Sequence, residues 1–271
     1  MNSSTATYAP ATTDHRTWES AEVQRSDVEA AATPDASLLI GPRTLQRYAN
    51  PPADTAFPLE YSYHLLGDVR GQQVLDIGCG SGMNSVLAAK HGGYITGIDI
   101  SPSLTRLAIR RAQLNGVGSH VRVMVTSAHD LPFAAKSFDV VLGIAILHHL
   151  DLEAASREIH RVLKRGGRAI FQEPVRNSEF VKRIRAMVPY TAPDVSPFER
   201  PLTDRELNEF SRGFVVSRTR VFSLPHVNLA QVLPVVRNGI NTMYRVDRAL
   251  LRRFPSLQHF ATGRVIELIK R

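Results

Sequence analysis

Residues 71–101, GQQVLDIGCGSGMNSVLAAKHGGYITGIDIS, restrict the folds open to this chain more than any other stretch. Val74, Leu75, Asp76 and Ile77 form a short, mostly apolar run, as expected of a strand buried on both faces in a parallel sheet. Glycines follow at 78, 80 and 82. Lacking Cβ atoms, they let the chain turn sharply and bring backbone N–H groups close to a ligand. Met83 to Lys90 reads as a helix, which sets a positive helix N-terminus against that ligand. Tyr94 to Ile98 reads as a second strand, and Asp99 ends it. In a strand–loop–helix–strand unit that carboxylate stands at the carboxyl edge of the sheet, where it can accept the hydroxyl protons of a ribose. The unit predicts a nucleoside held by its sugar, with a charged tail over the glycine loop.

The spacing then separates the nucleosides. A dinucleotide fingerprint needs its third glycine where Met83 stands, and a phosphate loop needs Gly-Lys-Ser/Thr where Gly82-Met83-Asn84 stands. What remains is DxGxGxG from Asp76, with an acid seventeen residues after the last glycine. That pattern resembles the class I S-adenosylmethionine-dependent methyltransferases. The resemblance implies S-adenosyl-L-methionine as cofactor, S-adenosyl-L-homocysteine as product, and no metal. It assigns cofactor contact to Asp76, Gly78, Cys79, Gly80, Gly82, Asp99 and Ile100. It places the adenine by Ala128 and His129 and the methionine side by Gly143. One departure stands out: Ser127 occupies the position of the family's usual adenine-side acid. That leaves a hydroxyl, a backbone carbonyl or Asp130 to meet the adenine amine.

Further strands are expected at Val121 to Val125, Val140 to Ile144 and Arg168 to Gln172, with helices from Pro102 to Leu114 and from Leu152 to Lys164. Ser101-Pro102 supplies an N-cap and a proline at the first helical position. Such alternation predicts an α/β, doubly wound sheet. The resemblance extends it to a seven-stranded Rossmann-like sheet ending in an antiparallel hairpin, Val215 to Leu224 with Arg264 to Ile269. N-terminal and C-terminal helical caps are inserted around it. Residues 1–37 are rich in small and polar types and read as a disordered or loosely attached arm. Residues 38–271 read as a single domain: a helical cover over 38–70, a cofactor core over 71–175, and a substrate cap with the hairpin over 176–271. Tyr61 and Tyr63 in the cover are candidate substrate contacts, with core packing as the alternative.

Methyl transfer to a hydroxyl needs a base. His148, after the fourth strand, and Glu173, at the end of the fifth, belong to the same sheet edge and can converge on one acceptor. The positions resemble those of small-molecule O-methyltransferases of the UbiE-like branch, which implies His148 as base and Glu173 as acid partner. His149 is a candidate substrate contact or a packing residue.

Charge is uneven. The net values are −4 over 1–60, +3 over 61–175 and +9 over 176–271. The basic tail suits anionic partners without choosing among them. Its Ile240–Phe254 segment, with arginines at 245, 248, 252 and 253, can pack on the sheet, cap an acceptor pocket, or touch an anionic membrane peripherally. One cysteine excludes a disulfide framework or a multi-cysteine metal site. No apolar run approaches membrane length and no leader-like N-terminus stands out, so the expected location is cytoplasmic. The reading is therefore a methyltransferase for a small, apolar acceptor such as a lipid, quinone or secondary metabolite, methylated at oxygen. An RNA or protein methyltransferase is the alternative, but the amine-directed Asn/Asp-Pro-Pro-Tyr/Phe motif is absent after the fourth strand, and nucleic acid is disfavoured. A membrane-docked, non-catalytic cofactor-binding protein is the other alternative.

Overall fold

A computed structural model describes residues 15–178, 200–227 and 239–271. Its centre is β1 (Gln73–Ile77), whose last four residues are buried because strands pair with it on both sides. β2 (Tyr94–Asp99) runs parallel on one side, with Val74 opposite Ile95. β4 (Phe138–Ile144) runs parallel on the other, with Val74 opposite Val140. β3 (Val121–Val125) continues beyond β2. β5 (Leu163–Pro174) continues beyond β4. β7 (Gly263–Ile269) pairs antiparallel with both β5 and β6 (Val215–Phe222). The sheet order is β3-β2-β1-β4-β5-β7-β6. Strand order reverses between β1 and β4, and at such a point the connections leave to opposite faces and open a crevice at the carboxyl edge.

Alternation along the strands sorts the core into two layers. Val74, Leu142 and Ile170 pack with Tyr63, Leu66 and Val86. Leu75, Val141 and Phe171 pack with Leu147, Ile159 and Phe210. Fully burying one such side chain contributes about 1.5–3 kcal/mol, so truncating Leu75 or Val141 attacks both sheet and layer.

The helices are α1 (His15–Ala32), α2 (Asp35–Leu38), α3 (Pro42–Ala49), α4 (Pro58–Leu66), α5 (Met83–Lys90), α6 (Pro102–Leu114), α7 (Leu152–Val162), α8 (Asp204–Phe210) and α9 (Ile240–Arg253). α6 and α8 start on side-chain caps, the first of them predicted from the sequence. Ser101 Oγ accepts from Leu104 N, and Thr203 with Glu206 forms a reciprocal capping box.

Other features differ from expectation. Part of the segment read as an arm is helix α1, which packs on α6. α7 stops at Val162 rather than Lys164, because Leu163 already pairs with Phe138 and the chain turns at Gly166 before β5 continues. Arg111 of α6 is buried and reaches Ser81 Oγ at 3.3 Å, while Arg106 and Arg110 are exposed. His226 lies 3.0 Å from the fully buried carboxylate of Asp247 on α9. α9 packs on β6 through buried Leu251, while Tyr244 meets Phe57 at 5.4 Å. Parts of the region read as substrate cap, residues 179–199 and 228–238, lie outside the described residues. Among the described residues no helix is long and apolar enough to cross a membrane.

Candidate active site

The glycine loop leaves β1 and is tied down from two sides. Cys79 N donates to Ile98 O at 2.9 Å, and Gly80 N donates to Asp99 Oδ2 at 2.9 Å. Ser101 N donates to the other carboxylate oxygen, Oδ1, also at 2.9 Å. Asp99 thus joins the loop to the start of α6 while keeping lone pairs for a ligand. Burial pushes its carboxyl above the usual range, opposed by the Ser101 and Gly80 bonds, with nearby Glu22 adding to the rise.

Two glycines serve different ends. Gly82 has φ +82°, and a Cβ there would stand 2.7 Å from Ala108 Cα, so it is glycine because α6 crosses directly above it. Gly80 has φ +51° with nothing within 4 Å of a Cβ position, so its open side faces space. A ligand can lie against that open backbone.

The space is a cavity of about 220 Å³. Of the residues predicted for the cofactor, Gly78, Gly80, Asp99, Ile100, Ala128 and His129 line it, and so does His149. Asp76, Cys79, Gly82 and Gly143 do not. Asp76 is buried behind the loop, where Ser85 Oγ donates to it at 2.6 Å. Burial raises its carboxyl to about 7, against the Ser85 bond that lowers it. Cys79 is buried, with burial pushing its thiol well up, and it packs close to Gly97. A Cβ on Gly143 would meet Phe171 at 2.6 Å, so that glycine makes room for a ring.

The far wall of the cavity comes from α1, whose Glu19, Glu22, Arg25 and Ser26 face it. Composition concealed this helix, because its polar residues carry no apolar periodicity. Ser127 Oγ donates to Glu19 Oε1 at 2.7 Å. Arg25 pairs with Glu22 at 2.6 Å, and Glu22 lies 3.7 Å from His149 Nδ1. Asp130 is exposed and outside the lining. Three carboxylates against one arginine make this cavity hostile to a pyrophosphate and hospitable to a cation such as a sulfonium.

His148 and Glu173, which the sequence puts at one sheet edge, are in direct contact. His148 Nδ1 is 2.8 Å from Glu173 Oε2, and both residues are buried. Glu173 Oε1 also accepts from Ile146 N and Leu147 N, at 3.0 and 2.8 Å, and so fixes the turn that carries the two histidines. Neither member of the pair lines the cavity. His149 does, with its ring 4.1 Å from that of His148. Tyr61 and Tyr63 belong to the core: Tyr61 stacks with His64 and meets Phe222, and Tyr63 Oη bonds Asn84. No group of three or more His, Cys, Asp or Glu able to hold a metal occurs among the described residues.

Comparison with known proteins agrees with this geometry. Residues 75–171 match the family described as a methyltransferase domain. O-methyltransferase rstn1 of Aspergillus nomiae is 41% identical over 105 residues, which are 38% of this chain and 47% of that protein. The demethylmenaquinone methyltransferase of Tropheryma whipplei is 36% identical over 110 residues, 40% of this chain and 44% of that one. The chain thus spans less than half the length of these two relatives. The crystal structure of geranyl diphosphate C-methyltransferase from Streptomyces coelicolor A3(2), solved with S-adenosyl-L-homocysteine, matches 97% of this chain and 100% of its own. Its TM-score is 0.58 at 20% identity, a likeness of fold. Strand order and sequence point the same way: residues 75–171 carry a methyltransferase domain, within a sheet of the class I S-adenosylmethionine-dependent methyltransferase fold.

Proposed function

We propose that this protein transfers a methyl group from S-adenosyl-L-methionine to a small, apolar acceptor, at an oxygen atom. The observation that carries the reading is Asp99 at the end of β2, bonded to the amide of Gly80 beside open space in a carboxylate-lined cavity. In this assignment Asp99 accepts the ribose hydroxyls, Gly78 and Gly80 lie along the methionine tail, and Ile100, Ala128 and His129 flank the adenine. Asp76, Cys79 and Gly82 shape the loop from behind, and Gly143 makes room for the Phe171 ring. Bound S-adenosylmethionine supplies an electrophilic methyl on a sulfonium, and the protein's share is placement and exclusion of water.

For a hydroxyl acceptor, His148 is the base and Glu173 the positioning residue. A carboxylate only accepts, so His148 Nδ1 carries the proton toward Glu173, and Nε2 is the nitrogen this reading assigns to the acceptor's proton. The names of the relatives, an O-methyltransferase and a demethylmenaquinone methyltransferase, favour a small-molecule acceptor of quinone or phenol type. A second reading has His149 in the acceptor-facing role, since it is the histidine that lines the cavity.

Calorimetry with S-adenosyl-L-homocysteine tests the reading. Binding to the native protein and its loss in Asp99→Ala are expected; equal affinity of the two would remove the cofactor site from this crevice. Incubation with methyl-labelled cofactor and a panel of phenols and quinols tests the acceptor class.

A further inference from the structure

The crevice holds a residue that the cofactor pattern lacks. Strand order sets a direction across it: the glycine loop leaves β1, the sugar-binding Asp99 ends β2, and the Thr126–His129 turn follows β3. Adjacent strands are about 4.8 Å apart, so a nucleoside laid with its tail on β1 and its sugar on β2 carries its base to the end of β3. At that end the loop offers Ser127 where an acid is the family's habit.

A carboxylate is nevertheless present there. Asp151 N donates to His129 Nε2 at 2.9 Å, which puts the ring proton on Nδ1, 3.1 Å from Ser127 Oγ. The Ser127 hydroxyl accepts from Nδ1 and, at 3.3 Å, from His129 N, and so turns its own hydrogen to Glu19 Oε1 at 2.7 Å. Polarity therefore runs one way, from loop to helix, and ends on a carboxylate that lines the cavity. Glu22, one turn further along α1, gives Oε2 to Arg25, while its Oε1 makes no hydrogen bond and stands 3.7 Å from His149 Nδ1, beyond β4 and away from the β3 end. α1 thus spans the mouth with one acid at each side.

We propose that Glu19 of α1 is the hydrogen-bond acceptor for the exocyclic amine of the cofactor's adenine, replacing from the N-terminal helix the acid that the β3 loop lacks. The inference rests on the cofactor reading above. It makes base recognition and the seating of α1 one event: Ser127 orients Glu19, and the amine completes its coordination. A nucleoside with a carbonyl in place of the amine would set oxygen against carboxylate and be rejected.

Titration calorimetry with S-adenosyl-L-homocysteine and its 6-oxo analogue, S-inosyl-L-homocysteine, tests this on the full chain, with the native protein, Glu19→Gln, Ser127→Ala and Asp99→Ala. The native protein should prefer the amine by about tenfold or more, the scale of one charge-assisted hydrogen bond. In E19Q the amide oxygen faces Ser127 and the amide nitrogen faces the base, so the preference should vanish or reverse, and S127A should lie between. Unliganded E19Q and native protein should unfold at similar temperatures, because the changed group is on the cavity side of a surface helix.

Equal weakening of both ligands in E19Q would make Glu19 a latch for α1 and overturn the proposal, as would an unchanged preference or none in the native protein. Failure of the native protein to bind either ligand, or unchanged binding by D99A, would instead bring down the cofactor reading, and this inference with it.

Discussion

Glu173 holds three donors at once: the amides of Ile146 and Leu147 on Oε1 and His148 Nδ1 on Oε2. One carboxylate therefore shapes the turn after β4 and orients the imidazole within it. Two substitutions separate these tasks. Glu173→Ala strands three buried donors and should cost about 2–4 kcal/mol of stability. Glu173→Gln keeps an acceptor for the amides but presents NH2 to the ring, which forces the other tautomer. Thermal unfolding should then change little, while turnover on a hydroxyl acceptor should fall by roughly a hundredfold with KM for the cofactor unchanged. Retained turnover in His148→Ala together with loss in His149→Ala would move the base to His149.

The two loop glycines should respond oppositely to alanine. Gly82→Ala meets the backbone of Ala108 and holds a left-handed φ, so a loss of about 2–4 kcal/mol in chemical denaturation is expected. Gly80→Ala has free space and should lose only about 1 kcal/mol, yet its methyl enters the ligand's side and should weaken S-adenosyl-L-homocysteine binding more than tenfold. Calorimetry and urea unfolding on the same two variants check both halves.

Asp76 makes stability depend on pH. Burial raises its folded-state carboxyl to about 7, against an ordinary value of 3.8. Between about pH 4 and 7 the unfolded chain has released this proton and the folded chain retains it, so stability falls as pH rises, by up to roughly 1.4 kcal/mol per unit, and levels off above the folded value. Asp76→Asn should flatten that part of the profile and narrow the gap between unfolding temperatures at pH 5 and pH 8. A profile with the same slope as the native protein would assign the dependence to other groups.

Asn115, at the end of α6, ties down the chain before α3. Its Oδ1 accepts from Ile40 N at 2.9 Å and its Nδ2 donates to Leu38 O at 2.9 Å. Asn115→Ala removes both bonds and should cost about 1–3 kcal/mol. Faster hydrogen exchange at Ile40, with little change in β1, is the expected signature.

Local signals determined a good deal here. β1, α5, β2 and α6 fall within a residue of where apolar runs, glycines and the Ser101-Pro102 cap predict them, because each depends on interactions between residues close along the chain. The crevice between the glycine loop and Asp99 was legible for the same reason: loop, helix start and Asp99 are one continuous unit. The meeting of His148 with Glu173 followed from two strand ends on one edge. Tertiary structure alone decided which residues face the cavity. Asp76 and Ser85 close on each other behind the loop, and Tyr61 and Tyr63 turn into the core, because alternation in a strand or a helix does not say which face a neighbour will cover. It also decided the place of α1. Glu19 and Ser127 are 108 positions apart and meet only because α6 supports the helix across the crevice, a contact between polar groups that leaves no hydrophobic period in the sequence.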